Sequence, residues 1–306
     1  MVSGMNRLRV IACRCLLRIG LGLALGALAL ASRAAPEAGS AQALRDMQHQ
    51  LADALAHSSL NRPVHLDSSE TSDGVQGDVY AIVDHPLDEV RDTLGDAAPW
   101  CEMLVLHIDN RRCRVTRRPE GDTLTLSVVR RYDKPVEQAI EIAFDWRNAS
   151  NARDYLAIDL HAAAGPLGTR NHRVALEAVA LNPRQTFLHF GYAYDHHMMA
   201  RLATMAYLAT FGRHKVGFTV VGIDAEGRPA YIHGLRGLVE RNAMRYFLTL
   251  DAYLDGVAVP APQRFEARLH QWFGAIAQYP EQLDETDLAT YLALKRADRE
   301  REAAAR

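Results

Sequence analysis

Residues 235–254 read LRGLVERNAMRYFLTLDAYL. Leu238, Asn242, Tyr246, Thr249 and Tyr253 recur there at three- and four-residue steps, which puts them on one stripe of a long amphipathic helix. Glu240 stands four positions from Arg236 and five from Arg245, so these charges share or adjoin faces of that helix. One reading is a solvated face with weak ion pairs. The other makes the stripe the wall of a hollow, with Asn242 and Tyr246 as its few polar anchors.

Upstream of this helix the chain is rich in short strands. Val75–Asp84 reads as a strand broken by His85-Pro86, and Leu87, Val90 and Leu94 then announce a short helix ending near Gly95. Ala98-Pro99-Trp100-Cys101 turns a corner. Segments at 104–118, 124–132, 140–147, 155–163, 173–181 and 186–194 are β-branched or aromatic, with Glu120-Gly121-Asp122, Asn148–Asn151 and Asn182-Pro183-Arg184 as turns. The alternation of Leu124, Leu126 and Val128, and of Ile140, Ile142 and Phe144, predicts an antiparallel meander with one buried face. A helix at 196–210, rich in Met198, Met199, Leu202, Met205 and Tyr207, and a further strand at 216–222 come before the long helix. The Met-rich helix reads either as core packing or as a lid.

This order, carried by Val79–Val83, His85-Pro86-Leu87-Asp88-Glu89-Val90, Trp100 and the helix at 238–254, resembles the START-like superfamily (polyketide cyclase, Bet v 1-like, SRPBCC), as a secreted bacterial member. The resemblance covers about residues 75–255. It implies an α+β helix-grip fold, in which a curved antiparallel sheet wraps a long C-terminal helix around a tunnel for an apolar ligand. The Met-rich helix and the helices expected at 262–278 and 284–301 depart from the minimal pattern. The expected organisation is a signal peptide at 1–34, an N-terminal helix at 35–62 resting on Leu44, Met47, Leu51 and Leu55, a helix-grip domain at 63–258 and a helical extension at 259–306.

The signal peptide is read from Arg7, Arg9, Arg14 and Arg18, an apolar run from Ile19 to Ala31 and the small-residue site Ser32-Arg33-Ala34. Cleavage near Ala34 sends the chain to the periplasm or outside; a retained signal anchor is the rival fate. Without these residues 30 basic groups face 37 acidic ones, about −7, which offers no footprint for nucleic acid. Transient contact with a membrane or an envelope protein stays open. Cys101 and Cys113 are the thiols left after cleavage and are expected to form a disulfide in an oxidising compartment, with two buried free thiols as the alternative.

No GxSxG elbow, phosphate loop or HExxH spacing occurs. His196-His197 are adjacent and point to different sides, so no metal or other cofactor is expected. Gly165-Pro166-Leu167-Gly168-Thr169 is a tight turn, and 210–215 a helix-to-strand connection capped by Gly212. Glu102, Asp159, Asp195 and Glu240 are the carboxylates that could serve as a base. The expected function is binding or transfer of a lipid-like, sterol-like or polycyclic molecule, with Arg236, Asn242, Tyr246, Thr249, Tyr253, Trp100 and Tyr194 around it and Met198, Met199, Leu202 and Met205 as lid. A cyclase or hydrolase using the same cavity, and a module that docks an envelope protein, are the alternatives.

Overall fold

The computed structural model describes residues 39–210, 212 and 214–304. The signal peptide expected at 1–34, Phe211, Arg213 and the side chains of Tyr207 and Ala209 lie outside the described residues. α1 (Ala41–Ala56) opens the described chain, started by Ser40, whose side chain accepts from the Ala43 amide at 3.2 Å. β1 (Val64–Glu70) and β2 (Gly74–Val83) follow. Pro86 then starts α2 (Leu87–Leu94), and Asp96 caps α3 (Ala97–Leu104) by accepting from the Ala98 amide at 2.9 Å. The meander is β3 (Asn110–Thr116), β4 (Asp122–Val128), β5 (Ile140–Ala152), β6 (Tyr155–Ala164), β7 (Arg170–Asn182) and β8 (Gln185–Asp195).

These eight strands form one antiparallel sheet in the order β1-β2-β8-β7-β6-β5-β4-β3. Register puts apolar side chains opposite each other on the inner face: Val79 pairs with Phe190, Leu176 with Phe190 on the other side, Ile158 with Leu176, and Leu124 with Phe144. The residues between them point outward. There Tyr155, Ala157, Val179 and Phe187 bury Leu44 and Leu55 of α1 in a separate small core.

α4 (Met198–Ala209) leaves the end of β8, and β9 (Val220–Ile223) pairs with β10 (Pro229–Tyr231) as a hairpin apart from the main sheet. α5 (Gly234–Asp255) then runs across the inner face, packed on β2, β1 and β8, while α3 covers β3 and β4. Gly77 of β2 lies under it: a Cβ there would stand 3.1 Å from the Ala243 Cβ and 3.2 Å from the Val239 carbonyl oxygen. A larger residue would hold strand and helix apart. α6 (Ala261–Ala277), the short α7 (Pro280–Leu283) and α8 (Leu288–Ala304) complete the chain, with α6 against the outward side of α5. The architecture is α+β, a helix-grip arrangement with a long helix near the C-terminal end.

Several expectations are corrected. The strand expected at 216–222 shrinks to β9, because the Phe218 and Thr219 amides donate to Glu240 Oε2 at 2.6 and 2.9 Å instead of to a neighbouring strand. The solvated face expected around Glu240 is interior: Glu240 is fully buried and also accepts from Ser68 Oγ at 2.6 Å and Thr219 Oγ1 at 2.7 Å. Arg241 and Arg245 are buried as well, both donating to Glu285 Oε1. The methionine-bearing face of α4 is not packed into the core, since Met198, Met199, Leu202 and Met205 are 76%, 69%, 55% and 41% exposed, although Leu208 near its end is buried with Val75, Tyr194 and Leu235. The segment expected as strand from 104 begins instead with the end of α3, and β3 starts at Asn110.

Candidate functional site

The tunnel expected between α5 and the sheet is closed. A hollow of about 30 Å³ remains there, lined by Leu126, Phe144, His172, Phe190, Tyr192 and Tyr246 among others, which is room for about one water. The physical reason is the register: Val174 faces Tyr192 and Leu176 faces Phe190 across neighbouring strands, so bulky side chains interdigitate with α5 at core density. Tyr246 stacks on His107 at 4.8 Å and stands 5.7 Å from Tyr192 between ring centroids. His172 stacks on Tyr194 at 5.3 Å, and its Nε2 is 2.8 Å from Thr169 Oγ1. Burial pulls the His172 imidazole down to about 4 and pushes the Tyr246 phenol up to about 12.

Of the seven residues expected around the ligand, Tyr246 alone lines this hollow. Tyr194 joins it through Tyr192, 5.9 Å away. Asn242 is half-buried on α5, and Arg236 donates from Nε to Ser68 Oγ at 3.1 Å, in the Glu240 cluster. Thr249 is held by α6, accepting from Trp272 Nε1 at 2.8 Å and donating to the Arg245 carbonyl at 2.7 Å. Tyr253 donates to Glu102 Oε2 at 3.0 Å beneath the Arg268 guanidinium, 3.5 Å above its ring. Trp100 is fully buried and donates from Nε1 to the Leu94 carbonyl at 2.9 Å. The carboxylates considered as bases are engaged too: Glu102 by Tyr253 and Arg268, Asp159 by Arg147, Asp195 by Asn171 and Arg173, and Glu240 as above. His196 is buried beside Asp195, and among the described residues no three His, Cys, Asp or Glu side chains gather to hold a metal ion.

A sizeable cavity lies elsewhere. A half-open cleft of about 900 Å³ is walled by α3 (Ala98, Cys101, Glu102) with Val105 just after it, β3 (Arg112, Cys113, Arg114, Val115), α6 (Arg264, Phe265, Arg268) and α8 (Lys295, Asp298, Arg299, Glu302). Cys101 and Cys113 are disulfide-bonded with their Cα atoms 5.1 Å apart, fixing α3 to β3 in that wall. At its base Arg111 makes a bidentate pair with Asp298, both contacts 2.8 Å. Lys295 Nζ reaches the His107 and Asn110 carbonyls at 2.6 and 2.8 Å, which ties α8 to the start of β3. Burial pulls this ammonium down to about 7.

Reasoning from the sequence did not find this cleft, because its walls come from segments about 190 residues apart. The available signal was Arg264 and Arg268 with Phe265, and Lys295 and Arg299: like charges four positions apart on predicted helices, which repel unless something separates or neutralises them.

No protein-family model matches this chain, and no curated protein matches it. Among solved structures, a conserved protein of unknown function from Enterococcus faecalis is similar at a TM-score of 0.33 and 8% identity, over 69% of this chain and 91% of that one. Truncated norcoclaurine synthase from Thalictrum flavum is similar at 0.33 and 13% identity, over 47% and 89%. A START superfamily protein from Mycobacterium smegmatis is similar at 0.30 and 17% identity, over 49% and 96%.

Proposed function

We propose that this chain binds a small organic molecule with an apolar body, and that the cleft between α3, β3, α6 and α8 receives it. The carrying observation is size with lining: about 900 Å³ falls in the range of small-molecule sites, roughly 300–1,000 Å³. Val105, Val115, Phe265 and the Cys101–Cys113 bridge offer apolar wall among the charged side chains. The bridge also supports an oxidising compartment, the periplasm or outside. No described helix is long and apolar enough to cross a membrane.

A second reading keeps the ligand between sheet and α5, with Tyr246 and Tyr194 beside it. It is favoured by the polar tips of His172, Tyr192 and Tyr246 around the residual hollow. It requires that side chains now in contact part, with α4 as the lid and Arg236, Asn242, Thr249, Tyr253 and Trp100 in its supporting shell. Titration with the neutral fluorescent probe N-phenyl-1-naphthylamine separates the readings. Ala98→Trp and Ala261→Trp place a large ring in the cleft from exposed positions, and each is expected to abolish probe binding. Tyr246→Phe is expected to leave it unchanged. Binding that survives both tryptophans and disappears in Tyr246→Phe overturns the cleft in favour of the interior.

A further inference from the structure

Within the cleft wall, seven cationic side chains face three carboxylates. All three carboxylates are already engaged: Asp298 by Arg111, Glu302 by Arg112 and Arg114, and Glu102 by Arg268 and Tyr253. Arg264 and Arg299 make no ion pair among the described residues. Arg264 donates to the Val257 and Val259 carbonyls at 3.2 and 3.1 Å, and Arg299 lies 4.3 Å above the Phe265 ring. This surplus of positive charge sits in a chain whose formal net charge is −2, so it is a local concentration and not the background of the molecule.

We infer that the ligand of this cleft is an amphipathic anion: a carboxylate on an apolar body, its head taken by Arg264 and Arg299 and its body laid along Phe265, Val115 and the disulfide. The inference rests on the cleft being the binding place. Guanidinium groups present paired donors that match a carboxylate. An aromatic ring under one of them gives the carbon chain a surface that begins where the charge ends. Arg299 is exposed and Arg264 half-buried, so an incoming head group meets them before the apolar wall.

The test is isothermal titration calorimetry of the chain with decanoate, decanol and inorganic phosphate, repeated on Arg299→Gln and Arg299→Lys. These substitutions lie on an exposed face of α8 and are expected to keep the fold, which an unchanged circular-dichroism melt of each variant checks. Decanoate is expected to bind about tenfold or more tighter than decanol, the range of one charge-assisted contact. Arg299→Gln should remove most of that difference and Arg299→Lys restore part of it, with phosphate showing no measurable binding. Equal affinity for decanoate and decanol overturns the anion and leaves the cleft as a site for apolar molecules. Phosphate binding as tight as decanoate overturns the apolar body. If neither decanoate nor decanol binds, the cleft fails as a site and the anion fails with it.

Discussion

The hollow under α5 and the cleft beside α8 differ about thirtyfold in volume, roughly 30 against 900 Å³, although both are bounded by sheet and helix. The difference follows from what lines them. Under α5 the strands present Leu, Val, Phe and Tyr at matched register, and such side chains close on one another until only about a water's volume is left. Beside α8 the walls carry guanidinium groups. Two cations cannot be pressed together away from water without a counter-charge, so the space between them stays open. A core collapses because its parts attract; a cleft whose seven cations outnumber its three carboxylates keeps charge that must stay near water.

The largest expected effect tests the first half of that contrast. Phe190→Ala, in the filled interior, should cost about 3–5 kcal/mol by urea unfolding, whereas Phe265→Ala, on the cleft wall, should cost about 1 kcal/mol. Equal losses would break the distinction. Next is acidification. His172 is held by burial at about 4 against an ordinary 6.5, so between these values the unfolded chain takes up a proton that the folded chain refuses. Stability is therefore full above pH 6.5 and falls as pH drops toward 4, on the order of 3 kcal/mol. His172→Gln should flatten that segment of the stability–pH curve.

The paired change Cys101→Ser and Cys113→Ser follows, with an expected loss of about 2–3 kcal/mol for a loop of 12 residues' separation. Unfolding with and without reductant should agree with it. The smallest effect sharpens the second half of the contrast. Raising salt from 50 to 500 mM should weaken decanoate binding by about threefold through screening and leave decanol unweakened; a parallel response of both would mean that the arginines are not felt.

Much of the fold was legible because it is local. Proline before Leu87, alternation through Leu124–Val128 and the periodicity of 235–254 each act within a few residues. The Cys101–Cys113 pairing could be read from elimination and compartment. β1 was missed, since Val-His-Leu-Asp-Ser-Ser-Glu has the polar texture of a loop and becomes a strand only by pairing with β2. Sequence leaves Glu240 open between a solvated face and a buried stripe, because its partners Ser68 and Thr219 lie 172 and 21 residues away and neither falls on its own helix. The cleft was illegible for the same reason on a larger scale: its charge surplus exists only once α8 is brought back to β3, and no window of sequence contains both.

Gly77 sets how closely helix and sheet can approach. With no side chain there, strand and helix meet backbone to backbone near Val239 and Ala243, and the first half of α5 is riveted to the sheet at that point. Any side chain at this position would open that seam, so the seating of α5 on β2 depends on a residue that adds no contact of its own.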